Sequence, residues 1–530
     1  MAILFAICSL LSIASASTVV DLGYASYEGR TQSTGVTQWL GMRFAAPPVG
    51  DLRFAAPQDP LSVEGIQQAT EHGSICIPTA ASEGRAVPLG TSEDCLFLDI
   101  YAPTAAVKGS KKLPVFFWIQ GGGFAVNSNA NYNGTGLIKA SGNNMVVVTF
   151  NYRVGPYGFL AGEEIEKGAS LNNGLKDQRK ALKWVQQHIS KFGGDPKHVV
   201  IGGDSAGAAS VTLMLSAYGG RDEGLFIGAA AESQSFAQML NVTESQFAYD
   251  ALVTATACNS SENTLACLRN LDVSALQQKN VERPYPGAQG KPLYLYGPTI
   301  DEDLVPDYTY RLFHEGKFIK VPVIFGDDTN EGTRFVTKST SSVEEADTFI
   351  QNQFPAIKQT HLARINNGEE FPDAGSYWRP ASTAYGEIRY ICPGIDMSSV
   401  YAAAGVPSWN YHYAVQDPAN ENSGLGTPHT VEVNAIWGPA NTGHKAPASY
   451  YTTNAGIVPV MQGYWTSFIT SLDPNTKRLP SSPNWQTWGQ GGDAYQRIFI
   501  RTNETRMETV PQGQRNRCKY LTSIGLDLKQ

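Results

Sequence analysis

Ser205 stands in the stretch VVIGGDSAGAAS, residues 199–210, with Gly203 two places before it and Gly207 two places after. A free serine hydroxyl is a poor nucleophile at neutral pH. It needs a base to take its proton and a fixed, exposed position. The β-branched run before Ser205 and the small residues after it read as a buried strand turning sharply into a helix. Gly203 and Gly207 remove the side chains that would collide in such a turn. The helix that follows aims its first N–H groups at whatever the serine attacks. A G-x-S-x-G pattern also arises by chance in a chain with 52 glycines, so its placement carries more weight than the pattern itself.

A second feature is independent of the first. WIQGGGFAVNSN places Gly121, Gly122 and Gly123 directly after the apolar run LPVFFWIQ. Three glycines can make a plain turn. They can also let main-chain N–H groups approach an oxygen with no side chain in the way. The N–H of Ala206, next to the serine, would complete such a cradle for an oxyanion.

The base should be a histidine, and for this kind of turn the acid should lie between serine and histidine in the chain. His72, His188 and His198 precede Ser205, and His412 sits in the alternating run WNYHYAV, where packing is the simpler reading. His314 and His361 fall in polar, weakly periodic regions, and His444 falls in a polar segment expected to be exposed. His429, in the glycine- and proline-containing GLGTPHTVEVNAIWG, is on the kind of loop a catalytic imidazole needs. For the acid, VPVIFGDDTNEGTRF offers Asp327, Asp328 and Glu331, and position alone does not choose among them.

The elements that must position these residues are legible as short apolar runs. LPVFFWIQ (113–120), NMVVVTFNYR (144–153), HVVIGGD (198–204), VPVIFGDD (321–328) and PSWNYHYAV (407–415) read as buried strands. Between the second and third, Leu175, Leu182, Val185 and Ile189 fall at helical spacing, and Gly193-Gly194 with Pro196 stops the helix. Strand, helix, strand implies a right-handed parallel crossover. YWTSFITSL (464–472) reads as a later helix. Residues near 235–320 and 337–400 read as insertions above the sheet.

The chain has 530 residues, 42% of them hydrophobic, and a formal charge of -8. That supports a large core and argues against nucleic acid, which requires clustered Lys and Arg. The first residues, MAILFAICSLLSIASAS, combine an apolar run with an A-x-A pattern, so residues 1–16 read as a signal peptide. The run is too short to span a membrane and no later stretch reaches the roughly 18 apolar residues a span needs, so no stable membrane anchor is expected. Beyond Cys8, six cysteines remain: Cys76, Cys95, Cys258, Cys267, Cys392 and Cys518. An even count in an exported chain suggests three disulfides, with about fifteen possible pairings. No C-x-x-C pair occurs, which weakens a zinc or redox reading. Sequons at Asn133, Asn241, Asn259 and Asn503 mark expected glycosylation sites.

These pieces together resemble the carboxylesterase/cholinesterase family, the type-B carboxylesterases, over nearly all of residues 19–525. SEDCLFLDIYAP (92–103), FNYRVGPYGFLAG, NNGLKDQRKALKWVQQHISKFGGDP and GGDSAGAAS follow in that family's order and at about its spacing. The resemblance implies an α/β-hydrolase fold: one large, mostly parallel sheet between helices, as a single domain over 17–530 with inserted helical regions over the site. It implies Glu331 as the acid, from a G-x-x-x-(N/D)-E-G motif, and His429 as the base. It implies Gly122 and Gly123, with Ala206, as the oxyanion donors. It implies the pairs Cys76–Cys95, Cys258–Cys267 and Cys392–Cys518, and a supporting role behind the triad for Ser233. The sequence departs from the family at Gln120, where many members have histidine, and at Asp204, where many have glutamate. The eighteen residues between Cys76 and Cys95 contain no tryptophan, which argues against choline esters, and they are too short and mixed for a lipase lid.

The implied activity is that of a secreted serine esterase acting on small carboxylic esters through an acyl-enzyme, with no cofactor and no metal. The imidazole must start neutral, so activity should fall in acid. A lipase or sterol esterase on long-chain esters is the alternative, and a non-catalytic adhesion protein of the same fold is a more distant one.

Overall fold

The computed structural model describes residues 18–365, 377–443, 445–490 and 495–530. An eleven-stranded sheet runs through them. Its strands are β1 (Arg30–Thr31), β2 (Val36–Arg43), β3 (Phe97–Pro103), β4 (Leu113–Ile119), β5 (Val146–Phe150), β6 (Gly194–Asp204), β7 (Gly228–Glu232), β8 (Val323–Asp328), β9 (Ser408–Tyr413), β10 (Gln496–Ile500) and β11 (Arg506–Thr509). Their spatial order is β11-β10-β9-β8-β7-β6-β4-β5-β3-β2-β1. The strands from β4 to β10 are mutually parallel, and the strands at the two edges pair antiparallel. This is the mostly parallel sheet expected of an α/β hydrolase.

Both faces of the sheet are covered, which is why its strands read as unbroken apolar runs rather than as alternating ones. Val115, Phe117 and Ile119 of β4 point into one core, while Phe116 and Trp118 point into the other. The first core is closed by α1 (Asn173–His188) and α2 (Ala206–Gly220). The second is closed by a later helix, Ile457–Ser471, which starts seven residues before the expected YWTSFITSL and presents Met461, Trp465 and Phe468. Strand β6 also starts earlier than expected, at Gly194, through the Pro196 that was to follow a helix stop.

The chain reverses direction across the sheet at β4, which has β5 on one side and β6 on the other. Ligands in such sheets bind beyond the carboxyl ends of the strands, beside that reversal. Gly121, Ser205, Glu331 and His429 all lie in segments that leave the carboxyl ends of β4, β6, β8 and β9. A third core gathers Ile350, Leu362, Tyr385 and Leu521 around α3 (Trp378–Gly386), α4 (Cys392–Ala403) and α5 (Gln512–Ser523), the last coming after Ile457–Ser471 in the chain. Helix α4 also packs on β8 and β9, so the stretch near 337–400 ends on the sheet itself. Disulfides join Cys76 to Cys95, Cys258 to Cys267, and Cys392 in α4 to Cys518 in α5.

Candidate active site

Strand β6 ends at Asp204 and α2 begins at Ala206, leaving Ser205 alone in the turn with φ 54° and ψ -120°. Such a positive φ is costly for a non-glycine residue and persists only where the surroundings enforce it. The surroundings here are tight. A Cβ on Gly207 would lie 2.0 Å from Ile119 O, and one on Gly203 would lie 2.6 Å from the same oxygen. The Ser205 N–H donates to Glu232 O at 2.9 Å, pinning the turn to β7.

His429 Nε2 lies 2.8 Å from Ser205 Oγ, where it can accept the hydroxyl proton. On the other side of the ring, Nδ1–H donates to Glu331 Oε2. The second carboxylate oxygen, Oε1, accepts the Asp328 N–H at 2.8 Å. Glu331 is 1% exposed and His429 6% exposed. The imidazole is held between the Tyr390 ring, centred 4.3 Å away, and the Phe335 ring, at 5.1 Å. Asn330 couples the acid loop to the histidine loop: its N–H donates to Thr427 O and its Oδ1 accepts the Thr427 N–H, both at 2.9 Å.

Of the three acids left open by position, the structure brings only Glu331 to His429. Asp327 and Asp328 remain on β8, where Asp328 Oδ2 accepts the Val431 N–H at 3.1 Å. Several of the other described histidines are engaged elsewhere. His412 meets Glu508 at 2.8 Å, His314 meets Asp396 at 2.8 Å, and His72 meets Asp99 at 2.7 Å. His444 lies outside the described residues. Ser233 makes no hydrogen bond to Ser205, His429 or Glu331; its hydroxyl lies 3.5 Å from Glu432 Oε1.

The glycine loop turns back over the serine. Gly122 and Gly123 have φ of 119° and 62°, and a Cβ on Gly121 would sit 3.0 Å from Ser205 Cβ. Among the described residues, the N–H groups of Gly122, Gly123 and Ala206 have no acceptor. The supports of this loop were not legible in advance. Asp204 Oδ1 accepts the Gly121 N–H at 2.9 Å, so the acid before Ser205 holds the loop in place. Gln120 donates to Phe150 O at 2.9 Å and to Asn151 Oδ1 at 3.0 Å.

A group of buried carboxyls lies behind these residues. Burial, with the neighbouring Glu432 second, pushes Asp204 up to about 7. Burial and the same neighbour push Glu232 and Asp328 well up, and burial with Glu331 does so for Asp327. Such groups hold protons more tightly in the fold than in the unfolded chain. The stability they lend is complete below the ordinary carboxylate range and is lost as pH rises through the folded values. The midpoint of thermal unfolding should therefore be higher at pH 5 than at pH 8. Asp204→Asn, which keeps an acceptor for Gly121, should narrow that gap. A midpoint that rises toward pH 8 would contradict the protonated cluster.

Among the described residues, no group of three or more His, Cys, Asp or Glu side chains is placed to hold a metal ion. Of the sequons, Asn241, Asn259 and Asn503 are exposed, while Asn133 is half-buried and accepts the Thr135 N–H at 2.9 Å. A narrow cavity of about 40 Å³ opens beside Gly123, walled by Phe124, Phe159, Tyr285, Tyr294 and Arg389 among others.

Strand order, a serine in the turn after β6, and an acid and a histidine on loops after β8 and β9 define an α/β hydrolase. The chain belongs to the carboxylesterase family, whose model matches residues 16–520. It is a carboxylic-ester hydrolase. The crystal structure of Aspergillus niger EstA matches with a TM-score of 0.92 and 44% identity, over 97% of this chain and 99% of that one. Secreted lipase 1 of Botryotinia fuckeliana is 31% identical, over 86% of this chain and 84% of its own. Para-nitrobenzyl esterase of Bacillus subtilis is 28% identical, over 96% of this chain and 99% of its own.

Proposed function

We propose that the protein is a secreted serine esterase in which Ser205, His429 and Glu331 act as the catalytic triad. The observation that carries this reading is the 2.8 Å contact between His429 Nε2 and Ser205 Oγ, with Glu331 on the far side of the ring. Ser205 Oγ attacks the ester carbonyl as His429 takes its proton. Glu331 keeps Nδ1 protonated, so that Nε2 is free to accept, and stabilises the imidazolium that forms. The carbonyl oxygen gains negative charge between the unoccupied N–H groups of Gly122, Gly123 and Ala206. His429 then gives its proton to the leaving alcohol, leaving an acyl-enzyme. Water, deprotonated by the same imidazole, releases the acid.

Export is supported by the apolar N-terminus with its cleavage pattern, by three disulfides and by relatives named as secreted lipases. Among the described residues, no helix is long and apolar enough to cross a membrane. We read the four sequons as glycosylation sites and the partner as a small ester rather than nucleic acid. Incubation with an organophosphate should label one serine per chain, and peptide mapping should find it at Ser205. Absence of labelling, or labelling elsewhere, would sink the triad.

The names of the fungal relatives favour a second reading, a lipase on long-chain esters. Against it stands the loop between Cys76 and Cys95. Glu83 in that loop pairs with Lys279 at 3.1 Å and with Arg283 at 2.9 Å, and the Gly84 N–H donates to Gln278 O at 2.8 Å. These contacts fasten the loop where a lipase lid would need to move.

A further inference from the structure

The cavity beside Gly123 is lined by a positive charge that no carboxylate among the described residues pairs with. Five arginines are buried among the described residues: Arg53, Arg153, Arg179, Arg389 and Arg497. Four of them face a carboxylate: Arg53 meets Glu93 at 2.6 Å, Arg153 meets Asp177 at 2.7 Å, Arg497 meets Glu508 at 2.7 Å, and Arg179 meets Glu223. Arg389 has no such partner among the described residues. Its Nε–H donates to Ser235 Oγ at 3.1 Å. Its guanidinium otherwise faces rings, those of Tyr294, Tyr390 and Tyr385, centred 5.4, 5.8 and 5.9 Å away. The acid near Tyr294, Glu282, is turned to the Leu295 N–H at 2.6 Å, and burial pushes it up to about 8. A guanidinium does not deprotonate in a protein, and an unpaired buried charge is costly.

This charge stands close to the reacting groups. The Tyr390 ring that Arg389 faces lies against the His429 ring, 4.3 Å between centres. The Tyr294 ring covers Gly123 so closely that a Cβ there would lie 2.3 Å from it. Gly123 and Arg389 line the same cavity, whose volume of about 40 Å³ admits a group of only a few heavy atoms. A carboxylate is such a group, and its two oxygens match the donors of a guanidinium.

We propose that this cavity receives a carboxylate of the substrate, so that the preferred ester carries an anionic group a few bonds from the scissile carbonyl, on its acyl or its alcohol side. The inference rests on the serine-esterase reading and specifies its substrate class. A site built to pair a buried charged group rejects analogues that lack the complement. The aromatic walls keep water from screening the pair.

The test uses two nearly isosteric pairs, followed by pH-stat. Monoethyl succinate against ethyl 4-methylpentanoate places the charge on the acyl side. Acetoxyacetate against isobutyl acetate places it on the alcohol side. In at least one pair the anionic ester should show a kcat/KM about tenfold or more above its neutral partner. Arg389→Met should lower that ratio by about 100-fold, the order expected on removing one member of a buried charge pair. Arg389→Lys, which keeps the charge, should restore part of it and stands in if the methionine variant does not fold. The proposal is overturned if neither pair favours the anion, or if Arg389→Met lowers both members equally. Hydrolysis of neutral esters that depends on Ser205, with no anionic preference, sinks the pocket and leaves the esterase. No hydrolysis of any ester sinks both.

Discussion

Ser205→Ala should lower kcat by about 10⁶-fold while leaving the thermal midpoint almost unchanged. The substitution removes one oxygen. It keeps the Cβ and so asks nothing new of a backbone already at φ 54°. Gly203 and Gly207, which make the close approaches around the turn, are untouched, as is the Ser205 N–H bond to Glu232 O at 2.9 Å. What disappears is the atom that His429 Nε2 meets at 2.8 Å. The glycine loop would still polarise a bound ester, so a small residual rate over water is expected. Hydrolysis of a neutral ester measures the loss, and a melt of the same preparation measures the fold. A variant that retains more than about a hundredth of the rate would mean that another group does the chemistry.

Glu331→Gln should cost about 10⁴-fold in kcat with little change in KM. The reason lies in the two oxygens of the carboxylate. Oε1 accepts the Asp328 N–H at 2.8 Å, while Oε2 accepts Nδ1–H of His429. A glutamine has only one oxygen. If that oxygen keeps the Asp328 N–H, its NH₂ group faces Nδ1 and donates to it. The imidazole then carries its proton on Nε2, facing Ser205, and has no lone pair with which to accept the hydroxyl proton. Asp327→Asn is the control. Among the described residues, neither oxygen of the Asp327 side chain has a hydrogen-bond partner, so the loss should be far smaller. Equal losses in the two variants would remove Glu331 from its assigned place.

The comparison of these two acids shows what the sequence could tell. The strands were legible because burial on both faces leaves continuous runs such as VVVTF and VVIGGD. The turn at Ser205 was legible because its glycines stand at a fixed local spacing around the serine, although the atom they make room for, Ile119 O, lies on another strand. The choice among Asp327, Asp328 and Glu331 was not, because it depends on how the chain bends after β8. Asn330 sets that bend by clamping Thr427, 97 residues away. It required the family's motif. His429 came closer to being legible, since most other histidines fell in strands or before the serine. Asp204 holds Gly121 across 83 positions, and Arg389 lines the same cavity as Gly123 across 266, and no local pattern announces either.

The bridge from α4 to α5 has a consequence for how the chain is made. Cys76–Cys95 and Cys258–Cys267 close over 19 and 9 positions, so each can form soon after its second thiol emerges from the ribosome. Cys392 must wait for 126 more residues, an interval in which β9, Ile457–Ser471 and β10 are all synthesised. During that wait it is the unpaired thiol exposed to oxidation and exchange. Its correct pairing therefore reports that the last strands have been laid down.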